Sequence, residues 1–176
     1  MQQLIYYVAM SLDGFIAREN GDFSDFTMDD EIITHFVETL GVFGTVLMGR
    51  NTYNIGLREG KANPYPMLDT YVLSRSLTQA KYKEVTILST DFAETVMQLK
   101  EKAQKPIWLC GGSDVSAQFL KANLIDEIWV KVNPILLGQG IPLFRSQKLH
   151  SKLTCEDKVD FNSGVILLKY SVKDER

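Results

Sequence analysis

Residues 107–115 read Ile107-Trp108-Leu109-Cys110-Gly111-Gly112-Ser113-Asp114-Val115. An apolar run of strand length ends in two glycines and then meets Ser and Asp, residues that open helices. A strand that turns through glycine into a helix is the repeating unit of an open α/β sheet. Glycines at such a strand end let a ligand approach the backbone closely. The free N–H groups and positive dipole end of the following helix suit a phosphate. The simpler alternative is a tight turn that needs glycine and nothing more. The segment matches neither the Gly-x-Gly-x-x-Gly dinucleotide fingerprint nor the P-loop.

Working outward, two upstream strands end in a similar way. Thr45 to Met48 is apolar and stops at Gly49-Arg50, with a short helix expected from Asn51 and Thr52 beyond it. Thr70 to Leu73 stops at Ser74-Arg75. In a parallel sheet these ends share one edge, which then carries two guanidinium groups, several hydroxyls and two helix N-termini. Such groups suit phosphates, and an arginine pair favours the additional 2′-phosphate of NADP over NAD. The alternative for Arg50 and Arg75 is a solvated surface position.

The remaining pattern completes the alternation. Leu4 to Met10 is apolar on both faces, as a central covered strand requires. Asp13-Gly14 and Asn20-Gly21-Asp22 are turn signals, so residues 11–28 read as loop. A helix starts at Asp29, with its cap near Thr27 or Met28 and its apolar stripe on Ile32, Ile33, Phe36, Val37 and Leu40. Val85 to Leu88 is a strand. Asp91 is a natural cap for the amphipathic helix that follows, and Ser113 opens the next helix. Ile125 to Val132 is a strand, and 58–68 and 133–148 read as loops. Lys152 to Val159 and Val165 to Val172, joined by Asn162-Ser163-Gly164, form an antiparallel hairpin.

Composition bounds the function. The 176 residues fit one domain of ordinary make-up, 45% hydrophobic and 23% charged. A net charge of -3 argues against non-specific nucleic-acid binding. No apolar run approaches the roughly 20 residues of a membrane helix, and the N-terminus lacks a signal-peptide pattern, so a cytoplasmic protein is expected. Cys110 and Cys155 form no C-x-x-C pair and read as free thiols, Cys110 buried. With His35 and His150 the only histidines, no metal site is expected. His35 reads as a surface or packing residue, and Trp108 and Trp129 read as core.

Four segments, Met48-Gly-Arg-Asn-Thr-Tyr53, Val72-Leu-Ser-Arg75, Leu109-Cys-Gly-Gly-Ser113 and Asp126-Glu-Ile-Trp-Val130, follow one another as in the dihydrofolate reductase superfamily. Met10-Ser-Leu-Asp-Gly-Phe-Ile-Ala17 fits too. Asn133-Pro-Ile-Leu-Leu-Gly-Gln-Gly-Ile-Pro-Leu-Phe144 is similar to the reductase domain of the bifunctional riboflavin-biosynthesis deaminase-reductases. The resemblance spans nearly the whole chain. It implies an α/β three-layer fold whose mostly parallel central sheet has about eight strands and ends in a C-terminal antiparallel hairpin. It further implies NADPH as hydride donor, a homodimer, and an activity like that of 5-amino-6-(5-phosphoribosylamino)uracil reductase. A deaminase domain ahead of this one is not expected.

By the same resemblance Gly49, Arg50 and Thr52 meet the adenosine-side phosphates, and Ser74 and Arg75 the 2′-phosphate. Gly111, Gly112, Ser113, Asp114 and Val115 cradle the pyrophosphate. Ala9 and Ile16 lie near the nicotinamide. Asp29 or Asp30 stands near the place of the carboxylate that anchors substrate in dihydrofolate reductase, the alternative being ordinary first-turn helix charges. Asp13, in a turn beside the nicotinamide, is a substrate contact or simply a turn former, and residues 133–140, with Asn133, Leu137 and Gly138, border the substrate pocket or the dimer interface. In the riboflavin-pathway reductases Asp-Pro follows the Gly-x-x-Thr segment, whereas Tyr53-Asn-Ile-Gly56 follows Thr52 here. An NADP-binding module without turnover and a divergent dihydrofolate reductase are the alternative readings.

Overall fold

The structure, a computed structural model, describes residues 1–58, 60, 63–145 and 150–173. Of the loops expected at 58–68 and 133–148, residues 59, 61, 62 and 146–148 lie outside the described residues. The first strand, β1 (Leu4–Ser11), sits inside the sheet and is apolar on both faces for that reason. Ile5 and Tyr7 pack into one apolar layer with Ile32, Leu40 and Tyr53. Leu4 and Tyr6 pack into the other with Val96, Phe119 and Leu120.

In chain order the elements after β1 are β2 (Phe15–Ala17), α1 (Asp30–Leu40), β3 (Thr45–Gly49) and α2 (Arg50–Arg58). Next come β4 (Asp69–Leu73), β5 (Val85–Leu88), α3 (Phe92–Lys102), β6 (Ile107–Gly111) and α4 (Ser113–Lys121). The chain closes with β7 (Glu127–Asn133), β8 (Ile141–Pro142), β9 (Leu153–Asp160) and β10 (Ile166–Val172). Eight strands form one sheet in the order β5-β4-β3-β6-β1-β7-β10-β9. Strands β5 to β7 of that order run parallel, and β10 and β9 turn antiparallel. Residues of α1 and α2 cover one face and those of α3 and α4 the other. This is the three-layer architecture with a terminal hairpin that the sequence implies.

Register fixes where the strands end. Met48 lies opposite Gly111, and Gly49 opposite Leu73. The carboxyl ends of β3, β4 and β6 therefore stop flush at one edge, and helices α2 and α4 begin there. That edge is where open α/β sheets bind ligands.

Three local expectations are corrected. Asp29 itself caps α1: its carboxylate accepts the Ile32 N–H at 2.9 Å, so neither Thr27 nor Met28 is the cap. Asp91 stands at the N-cap position of α3 as expected, but with φ 43° it makes no side-chain cap bond. The stretches read as loop around 11–28 and 133–148 contain β2 and β8, which pair antiparallel with each other. Strands of three and two residues are too short for any periodic signal. Gly140 makes this pairing possible, because a Cβ there would stand 2.3 Å from the Ala17 carbonyl oxygen.

Gly140→Ala is expected to push β8 off β2 and to lower stability by about 1–3 kcal/mol, the range for overpacking. Hydrogen exchange should show the loss at residues 15–17 and 141–143. Unchanged protection there would refute the contact.

Candidate functional site

The flush strand ends open onto a cleft of about 1050 Å³. That is just above the roughly 300–1,000 Å³ usual for small-molecule sites, enough for a dinucleotide and more. One end of it is polar. Gly111 adopts φ 140°, a region that favours glycine. A Cβ at Gly111 or Gly112 would meet only the Thr52 Oγ1, at 3.7 and 3.6 Å, so the pair leaves an open backbone cradle. Behind it, a Cβ at Gly49 would stand 3.2 Å from Val115 Cγ2, which shows how closely β3 and α4 approach.

Helix α4 aims its start into this cradle. Its first helical bond is Ser116 N–H to Gly112 O at 3.0 Å, leaving the earlier N–H groups free of intrahelical acceptors. Ser113 is 4% exposed and its hydroxyl has no partner among the described residues. An unpartnered buried hydroxyl is a costly arrangement for packing alone. Asp114 would oppose an anion, but Arg145 Nη1 holds its carboxylate at 3.1 Å.

Arg50 and Arg75 stand exposed on the rim. The Arg50 guanidinium donates to Ser76 Oγ, and that of Arg75 lies over the Phe92 ring at 5.5 Å. Ser74 is buried, and its Oγ accepts from the Ser76 and Leu77 N–H groups. These donors, the bare glycines and the free helix end fit the phosphates of a dinucleotide.

The other end of the cleft is aromatic and holds one charge. Ala9 and Ile16 line the wall of the cleft. Tyr7, Phe36, Tyr65 and Trp108 line it as well, with Trp108 4.7 Å from Tyr65 and 5.8 Å from Phe36. Trp108 is thus both core and wall, its Nε1 donating to Tyr7 O at 2.9 Å. Lys131 enters from β7, 7% exposed, with Nζ 5.0 Å from the Phe36 centroid and 5.6 Å from that of Tyr7. Its ammonium makes no hydrogen bond or ion pair with any described residue. Cation–π contacts contribute about 2 kcal/mol when desolvated, less than the several kcal/mol lost on removing an ammonium from water. Burial accordingly pulls the Lys131 pKa from its ordinary 10.5 to about 8. The Tyr7 hydroxyl is buried with no partner among the described residues, and burial raises its pKa. The Cys110 thiol, also on the wall, is pushed up to about 12 by burial, so it is no nucleophile at neutral pH.

The structure separates the sequence candidates. The twelve expected cofactor residues, Ala9, Ile16, Gly49, Arg50, Thr52, Ser74, Arg75 and Gly111 to Val115, all line the one cleft. Asp29 and Asp30 do not line it, and the Asp29 carboxylate is committed to its helix cap. Asp13 is exposed and clamps a neighbouring loop: it accepts the Leu137 and Gly138 N–H groups at 3.2 and 2.7 Å and the Ser11 hydroxyl at 2.6 Å. Those donors, Ser11 first, hold its pKa below the usual carboxylate range. Asn133 is buried and bridges Thr27 N–H to the Met10 carbonyl. Lys131, Tyr7 and Ser76 were missed. A signal existed for Lys131, a lone cation in the apolar strand Ile128–Val132, on the face it shares with Trp129.

Comparison with known proteins places the chain. The profile of the RibD C-terminal domain family matches residues 2–167. The uncharacterized protein YwjB of Bacillus subtilis is 31% identical over 170 residues, covering 94% of this chain and 96% of its own. A putative riboflavin biosynthesis protein from Shewanella has a solved structure with TM-score 0.86 and 26% identity, covering 98% of this chain and 99% of that one. Dihydrofolate reductase from Enterococcus faecalis, solved with NADP(H), shares the fold at TM-score 0.68 and 18% identity, covering 98% and 97%.

Lys131→Met should stabilise the protein, since a shift from 10.5 to about 8 corresponds to about 3 kcal/mol. The folded pKa is depressed, so the wild-type penalty is full below about 8 and fades as pH rises to 10.5. The variant's higher thermal midpoint should shrink across that window. A midpoint unchanged at pH 7 would contradict the unpaired, buried ammonium.

Proposed function

This chain belongs to the RibD C-terminal domain family, and we propose that it is an NADPH-dependent reductase. Its substrate is a small heterocyclic or sugar-derived molecule with a reducible C=N or C=O bond, as for 5-amino-6-(5-phosphoribosylamino)uracil reductase. The observation that carries this reading is the cradle: two bare glycines, the unpartnered Ser113 hydroxyl and the free start of α4, facing Thr52. In this reading Gly111 to Val115 hold the pyrophosphate, with Gly49, Arg50 and Thr52 beside it. Ser74 and Arg75 take the 2′-phosphate, and Ala9 and Ile16 border the nicotinamide. NADPH supplies the hydride. The chain's own part is to orient the reactants and exclude water from the aromatic end. No described helix is long and apolar enough to cross a membrane, in keeping with the cytoplasmic location we assign. A homodimer through the exposed β9 edge completes the proposal, with size-exclusion chromatography as its check.

Thermal unfolding with NADPH, NADH and no ligand tests the cofactor. At about 100 times Kd a ligand adds roughly 2.7 kcal/mol, which raises the midpoint of a chain this size by about 5–10 °C. A shift with NADPH is expected, and none with either cofactor would refute the reading. Arg75→Ala should weaken NADPH more than NADH; equal losses would move the 2′-phosphate elsewhere. Gly112→Val should remain folded, as its φ of -110° suits any residue, and lose NADPH. Binding without oxidation across oxo-heterocycles would leave a nucleotide-binding module.

A further inference from the structure

Lys131 and Tyr7 belong to no part of the nucleotide cradle. They occupy the aromatic end of the cleft, on adjacent parallel strands. Lys131 is opposite Ala9 on β1, and Tyr7 is two residues before Ala9. A lysine that is 7% exposed and whose ammonium bonds to no described residue is rare in a packed interior. Its Nζ lies 5.6 Å from the centroid of the Tyr7 ring, whose buried hydroxyl has no partner among the described residues. Phe36, Tyr65 and Trp108 surround the pair with flat apolar surface. Among the described residues the only carboxylates lining the cleft are Glu19 and Asp114. Glu19 is exposed, and Asp114 is tied to Arg145 at the cradle.

We propose that Lys131, with Tyr7 beside it, forms the substrate-binding pair of this cleft and takes an oxygen acceptor, carbonyl or oxyanion, on a flat conjugated ring stacked among the aromatic side chains. The inference rests on the reductase reading for its substrate being the reacting partner, but the binding pair stands on its own geometry. An ammonium only donates, so it satisfies an acceptor and repels a protonated ring nitrogen, while the Tyr7 hydroxyl can donate to the same acceptor. The pair selects oxo-heterocycles against cationic amino-heterocycles. A depressed lysine pKa agrees with an ammonium that waits for its counter-charge. Facing groups do not supply one: Tyr7 is neutral, and His35 on α1 feels Lys131 and Lys169 as repulsive charges.

The test uses two six-membered rings of similar size. Barbiturate is a monoanionic trione at pH 7, and diaminopyrimidine is a base that protonates on the ring. Calorimetric titration of the full chain, with and without NADPH, should give tighter binding of barbiturate. Lys131→Met should lower barbiturate affinity at least about tenfold, or 1.4 kcal/mol, and leave NADPH affinity unchanged. Tyr7→Phe should lower it less, without a change in fold by circular dichroism. Equal barbiturate affinity in wild type and a folded Lys131→Met, preference for diaminopyrimidine, or no binding by wild type would each overturn the proposal. Failure of NADPH to bind, with barbiturate still bound through Lys131, would overturn the reductase reading and leave the binding pair standing.

Discussion

The register between β3 and β6 governs the rest of the molecule. It shifts by a residue between Leu47 and Met48, so that Met48 faces Gly111. Had the pairing continued unshifted, Met48 would face Cys110 instead. With the shift, Gly49 runs one residue past Gly111 to the level of Gly112, and α4 starts close enough for Val115 to lie against Gly49. A side chain at Gly49 would press on Val115 and drive the helix and the strand apart. The cradle is therefore a consequence of backbone proximity rather than of any single polar contact. The polar groups around it, Thr52, Ser113 and the rim arginines, have value only because the backbones meet there.

The two ends of the cleft follow different physical rules. At the cradle, donors remain partly hydrated and the arginines are exposed, so electrostatic attraction is screened and orientation comes from the backbone. At the aromatic end water is largely excluded, and one ammonium lies among rings that offset only part of its lost hydration. Stability is sacrificed there. Such a sacrifice is common where a site must be ready for a ligand before the ligand arrives.

The sheet and the cradle were legible in the sequence because they rest on signals of useful length. Leu4 to Met10 and Ile107 to Gly111 are apolar on both faces, and the turns at their ends carry glycine. The strand-end arginines announced themselves by position. Shorter features were not legible: β2 and β8 pair through three and two residues, with no room for alternation. Asp29 looked like a substrate anchor because a carboxylate at a helix start has two uses, and only coordinates distinguish a cap from a ligand group. Lys131 was overlooked for the opposite reason. A single charge in an apolar strand reads as an exposed edge until the sheet order puts β7 between β1 and β10.

Asp13 grips the backbone at Leu137 and Gly138, Leu12 donates to Ile135, Leu143 donates to Gly14, and Gly140 lies against Ala17. Two segments more than a hundred residues apart in sequence are thus riveted into one body. Neither can change length alone without breaking the rivets. A laboratory that wished to graft this cleft's border onto a relative would have to transplant residues 11–17 and 133–143 together. In natural descendants, insertions in the two segments should arise as pairs.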